Sequence, residues 1–178
     1  MTASVRPLAL ISLLAAATSS GAVEYQVPEN APYKDLTIIQ NNVVEECKEL
    51  GRQLTGSLVA ELSKSGLDAQ RVHQPDPAVG PVVDIKISNL VSAGNAFIGH
   101  RKSVTVWVEL RQGDQVLGAR TFTRDTMGGA FAGFKGSCSV LERAVLVLGK
   151  DVAQWTKATP LRAAATLPAA PASAASAS

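Results

Sequence analysis

Val104-Thr105-Val106-Trp107-Val108-Glu109-Leu110 carries an apolar side chain at every second position, and Val83-Asp84-Ile85-Lys86-Ile87-Ser88 does the same earlier in the chain. Successive side chains of a strand point to opposite faces, so Val104, Val106, Val108 and Leu110 share one face while Thr105, Trp107 and Glu109 take the other. One face of the resulting sheet is dry and the other wet. Arg111-Gln112-Gly113-Asp114-Gln115 reads as a hairpin turn whose glycine supplies a positive φ, after which residues 116–123 return as the partner strand.

The dry face needs a cover, and two amphipathic helices can supply it. Val43, Cys47, Leu50, Leu54, Leu58 and Leu62 recur at steps of three or four behind Asn41 or Asn42 as cap, and Gly66 after Lys64 marks the stop. The second helix opens at Ser139-Val140-Leu141-Glu142, a capping box followed by the stripe Leu141, Val145, Leu148, Val152 and Trp155. Leu36-Thr37-Ile38-Ile39-Gln40 is expected as the first strand and residues 69–73 as the second, with Pro75, Pro77, Gly80 and Pro81 in the loop that follows. The expected fold is α+β in the order β-α-β-β-β-β-α, an antiparallel sheet of about four to five strands with two helices packed on one face. No internal repeat is visible.

The chain ends differ from this middle. Arg6 precedes an apolar run over residues 8–17 that is short of the ~20 residues of a membrane helix, and the small residues Thr18-Ser19-Ser20-Gly21-Ala22 follow. Residues 1–22 are therefore expected to be a secretory signal, the alternative being an uncleaved anchor. No cysteine stands near the junction to take a lipid. Residues 23–35, with Pro28 and Pro32, read as an extended lead-in, 36–158 as a single domain, and 159–178, rich in Ala, Pro and Ser, as a disordered tail. No later segment approaches the length of a membrane span.

Lys and Arg number 17 against 15 Asp and Glu, a formal charge of +2 that falls further when Arg6 leaves with the signal. Nucleic acid as a partner would need cations clustered on one face, and aromatic side chains are too few for base stacking. The chain holds two cysteines, Cys47 and Cys138, both on or beside a helix stripe. In an exported protein they are expected to pair, closing a loop of about ninety residues; the alternative is two buried thiols.

Gly128-Gly129-Ala130-Phe131-Ala132-Gly133-Phe134-Lys135-Gly136-Ser137 joins the last strand to the last helix, where N–H groups can hold an anion. Phe134 breaks the spacing of a phosphate loop and Gly136 stands where a metal-binding hydroxyl belongs. The loop reads instead as a candidate partner-binding segment through Gly128, Gly129, Phe131, Gly133, Phe134 and Lys135, joined by Phe97 of the glycine-bearing stretch before residue 100. Its plain alternative is a flexible connection. His73 and His100 show no zinc spacing and read as surface residues, so no metal or cofactor site is assigned. Cys138, at a helix start that lowers a thiol pKa, is the single candidate nucleophile, and pairing with Cys47 would disarm it. No catalytic residue is assigned.

From residue 36 to 155 the order of strands, the glycine and phenylalanine loop over 128–136 and the closing helix resemble small envelope domains of Gram-negative bacteria without assigned activity, some similar to the N-terminal domain of the TolB translocation protein. The resemblance implies envelope assembly through protein contacts and assigns no residue a role. The missing lipidation cysteine departs from outer-membrane anchoring. The expected function is a periplasmic or secreted, non-catalytic binding or scaffolding module with a protein partner in the envelope; the alternative is a secreted enzyme or inhibitor with a reactive thiol. Oligomeric state is not legible.

Overall fold

The computed structural model describes residues 23–37, 39, 41–95, 99–127 and 137–161. The expected signal, Phe97, the loop residues 128–136 and the tail beyond residue 161 lie outside the described residues.

Three long strands carry the alternation seen in the sequence: β3 (Val82–Asn95), β4 (Gly99–Gln112) and β5 (Gln115–Met127), paired antiparallel in chain order. Val83, Ile85, Ile87, Val104, Val106, Val108 and Leu110 are all fully buried on one side. Gly113, at φ 56°, makes the hairpin turn between β4 and β5. A register shift in β3 between Ile87 and Asn89 then moves the buried row by one position, so that Leu90 follows Ile87 inward.

The other two strands correct the expected all-antiparallel sheet. β1 (Tyr25–Pro28) lies within the lead-in and pairs parallel with both β2 (Ala69–Val72) and β3, giving the mixed order β2-β1-β3-β4-β5. The chain passes from β1 to β2 through a helix, and such a crossover returns it in the same direction. Tyr33 extends the parallel pairing by bridging Ile87. Among the described residues of the strand expected over 36–40, namely 36, 37 and 39, no strand is formed. Leu36 and Thr37 lie in a turn closed by Asp35, whose Oδ1 accepts from the Thr37 N–H and hydroxyl, while Ile39 enters the core without joining the ladder.

The first helical stripe is broken into α1 (Asn41–Glu46) and α2 (Leu50–Lys64), with a turn at Lys48 and Glu49. Val43, Cys47, Leu50, Leu54, Leu58 and Leu62 nonetheless form one buried row. At its end Gly66 takes φ 80° and the Leu67 N–H returns to the Leu62 carbonyl, a left-handed stop. The last helix, α3 (Ser137–Ala158), begins before the expected capping box. Ser139 stands inside its first turn, and Glu142 accepts from Gln53 Nε2 of α2 at 3.2 Å, tying helix to helix.

α2 and α3 run side by side in the same direction over the buried face. Ser57 Oγ donates to the Leu146 carbonyl at 2.9 Å, and Lys157 Nζ to that of Ser65 at 3.0 Å. On edge strand β5 the helix-facing side chains are Arg120, Phe122 and Arg124: Phe122 meets Trp155 edge to face at 6.1 Å, and Arg124 grips Asp151 with two bonds of 2.6 Å. Gly118 leaves room for Trp155, whose ring lies 3.1 Å from where a β-carbon would stand. At the start of the expected tail, Thr159 bonds back to Trp155 and Leu161 packs on the core.

Candidate functional site

The two cysteines meet. Cys47, just after α1, is bonded to Cys138 in the first turn of α3, with Cα atoms 5.3 Å apart across 91 residues of sequence. Neither thiol is free. Two connections that carry the expected partner-binding residues start from this end of the sheet. Asn95 pairs Gly99 on either side of Phe97, and Met127, the last residue before the 128–136 loop, pairs Arg101. The structure thus sets the flanks of both connections side by side at the disulfide end.

Lys102 lies on the core face beside them, 7% exposed, and its Nζ donates to Ser92 Oγ at 2.9 Å. Lys102 continues the inward row of Val104, Val106, Val108 and Leu110 by one step of the alternation, and the shift in β3 brings Ser92 to the same side to meet it. Burial holds its ammonium below the ordinary 10.5, with the Glu46 carboxylate pulling the other way. Because the folded state disfavours the ammonium relative to the unfolded chain, it gains stability as pH rises from that lowered value toward 10.5, where the unfolded chain still holds the proton. Denaturant unfolding of wild type and Lys102→Met at about pH 7.5 and about pH 10 tests the sign. The stability of wild type relative to the variant should rise between the two; a constant difference means that the lysine is not desolvated.

A second feature is a cleft of about 570 Å³ lined by Glu29, Asn30, Lys48, Arg52 and Arg71. It exists because residues 29–31 cross the first turn of α2: the Ala31 N–H donates to the Gly51 carbonyl and Thr55 Oγ1 to that of Glu29. Gly51 permits the crossing, since a β-carbon there would stand 2.5 Å from the Ala31 carbonyl oxygen. Arg52 leans to Glu49 at 3.7 Å and Glu29 to His73 at 3.5 Å. The cleft is lined by three cations and one carboxylate. Sequence reading missed it because Arg71 reaches α2 from a strand, its guanidinium 3.8 Å from the β-carbon position of Gly56.

The open face of the sheet is polar, and most of its charges are paired. Trp107 is flanked by the ammonium groups of Lys34 and Lys86 at 5.2 and 5.5 Å. Asp84 pairs Lys86 at 3.0 Å, Glu109 pairs Arg111 at 3.4 Å and Asp125 pairs Arg101 at 3.2 Å. Bonds from Ser103 and Arg101 hold the Asp125 carboxyl below its ordinary range. No group of three or more His, Cys, Asp or Glu suited to a metal ion occurs among the described residues. His73 is exposed, as expected.

No protein-family model matches the chain, and no curated protein does. Solved structures do. The fold is similar to that of a Xanthomonas campestris protein described by the family model DUF330, with 14% identity, 78% of this chain and 85% of that chain covered, and a TM-score of 0.54. A minor lipoprotein from Acinetobacter baumannii aligns with 11% identity over 76% of this chain and 92% of that one, at a TM-score of 0.48, too loose to carry weight. These neighbours come from Gram-negative bacteria. At such identities the likeness shows the fold and assigns no activity.

Proposed function

We propose that the protein is an exported, non-catalytic binding or scaffolding module of the Gram-negative envelope, working in the periplasm or outside the cell. The observation that carries this reading is the Cys47–Cys138 bond. It occupies the one candidate nucleophile, and such bonds persist in oxidising compartments. The fold shared with a Gram-negative protein of the DUF330 family sits well with this, and the likeness to the TolB N-terminal domain belongs to the same proposal.

The docking end is proposed at the paired connections, through Phe97 and through Gly128, Gly129, Phe131, Gly133, Phe134 and Lys135. Support comes from the register that starts both connections together beside the disulfide.

Two measurements test the proposal. The folded, non-reduced protein should take up no alkylating reagent, and labelling of Cys138 would revive the thiol enzyme or inhibitor. In affinity capture from envelope extract, Phe131→Ser/Phe134→Ser should lose partners that wild type retains. Identical partner sets would remove the loop from the reading.

A further inference from the structure

Arg143, Leu146, Val147, Lys150, Gln154 and Lys157 are all exposed, and at 100° per residue they fall within one third of the circumference of α3. The face holds three cations, two aliphatic side chains and no acid. Both acids of the described α3 are engaged elsewhere: Glu142 accepts from Gln53, and Asp151 holds Arg124 of β5. Arg143 and Lys150 have no carboxylate within ion-pair distance among the described residues, and Lys157 reaches only the Ser65 carbonyl. Leu146 and Val147 remain 50% and 44% exposed beside them.

The opposite surface is different in kind. On the open sheet face Lys86, Arg101 and Arg111 are each matched by a carboxylate. Lys34, over Trp107, is the exception there, so the α3 face, with three cations and no acid, is a concentration of positive charge in a chain with a formal charge of only +2. The adjacent α2 presents Arg52, Ala60, Ser63 and Lys64 outward and adds no net acid beside this face. Its two nearby acids, Glu49 and Glu61, are already paired to Arg52 and Lys64.

From this geometry we infer that the α3 face docks on a bilayer of anionic phospholipid. Its row of cations spans roughly 20 Å, a length that meets several headgroups at once. Lys and Arg stems can lie along the boundary with their charges among the phosphates, while Leu146 and Val147 enter the edge of the acyl layer. No helix among the described residues is long and apolar enough to cross the membrane, so the contact is peripheral.

The experiment is vesicle co-sedimentation of the full chain as the cell processes it, using vesicles of phosphatidylethanolamine with about 30% phosphatidylglycerol. Parallel vesicles of phosphatidylcholine test whether binding requires anionic headgroups. Wild type should partition to the anionic vesicles only, and Arg143→Glu/Lys150→Glu should lower that partition by about tenfold or more. About 0.5 M salt should do the same by screening. Leu146→Ser/Val147→Ser should lower it several-fold at either salt concentration. Circular dichroism should show each of these surface variants folded, so loss of folding does not enter. Equal binding to neutral vesicles, charge-reversed variants that bind as wild type does, or a dimer in solution that the same substitutions dissociate would each overturn the inference, the last by assigning the face to a second copy.

Discussion

Replacing both cysteines by serine should lower stability by about 3–5 kcal/mol and the melting temperature by roughly 10–20 °C. The bond closes a loop across 91 residues, which places it near the upper end of what restriction of the unfolded chain can supply. Its position adds a local effect. α1 has only six residues, too few to persist alone, and its buried side chain Val43 lies four residues before Cys47. Without the bond, α1 and the turn leading into α2 should open first, raising hydrogen exchange there while β3 and β4 stay protected. The double serine variant is the cleaner test, since a single replacement leaves a reactive buried thiol. If the reduced wild type and the double variant both melt within about 2 °C of the oxidised protein, the bond is not a determinant of the fold.

The sheet centre is legible in the sequence because one of its faces is wet. Val83 to Ile87 and Val104 to Leu110 need alternation only where helices cover a single side, and both runs show it. Gly113 and Gly66 announce a turn and a helix end for the same reason, a positive φ that other residues resist. What stays hidden depends on distant partners. Tyr25-Gln26-Val27-Pro28 is too short to show a period, and it is a strand because Ala69–Val72 and Val82 present edges to it. The break before α2 leaves no mark, because Cys47 and Leu50 continue the apolar stripe across it. The shift after Ile87 exchanges the two faces of β3, which is why Leu90 and Ser92, not Asn89 and Val91, continue its inward row. Site features divide in the same way. Pairing of Cys47 with Cys138 follows from the compartment and the count of cysteines, whereas the cleft over Lys48, Arg52 and Arg71 exists only once α2 and β2 are side by side. The α3 face was present in the sequence as Arg143, Lys150 and Lys157, seven residues apart. Its single sign became visible only when Asp151 was found turned to Arg124 and Glu142 to Gln53.

Gly149→Ala should cost about 1–3 kcal/mol, and Gly149→Val more, although alanine is favoured over glycine in a helix by about 1 kcal/mol. At Gly149, α3 lies directly against Ser57 and Leu58 of α2. A β-carbon there would stand 2.6 Å from Ser57 Oγ, 2.7 Å from Ser57 Cβ and 2.9 Å from the Leu58 backbone nitrogen. Ser57 cannot simply rotate away without giving up its bond to the Leu146 carbonyl, and the Leu58 nitrogen can retreat only if α2 itself moves. Such a shift would loosen Leu54, Leu58, Leu148 and Val152, all fully buried in the layer beneath. The two residues should therefore be coupled. Ser57→Gly by itself loses a hydrogen bond and helix propensity, yet in the Gly149→Ala background it removes two of the three close approaches, so the double variant should be more stable than the sum of the single losses by about 1 kcal/mol. Denaturant unfolding of the four proteins gives the cycle directly. Additivity within about 0.3–0.5 kcal/mol would mean that the helices tolerate the extra carbon by another route, and that contact between Gly149 and Ser57 does not set their spacing.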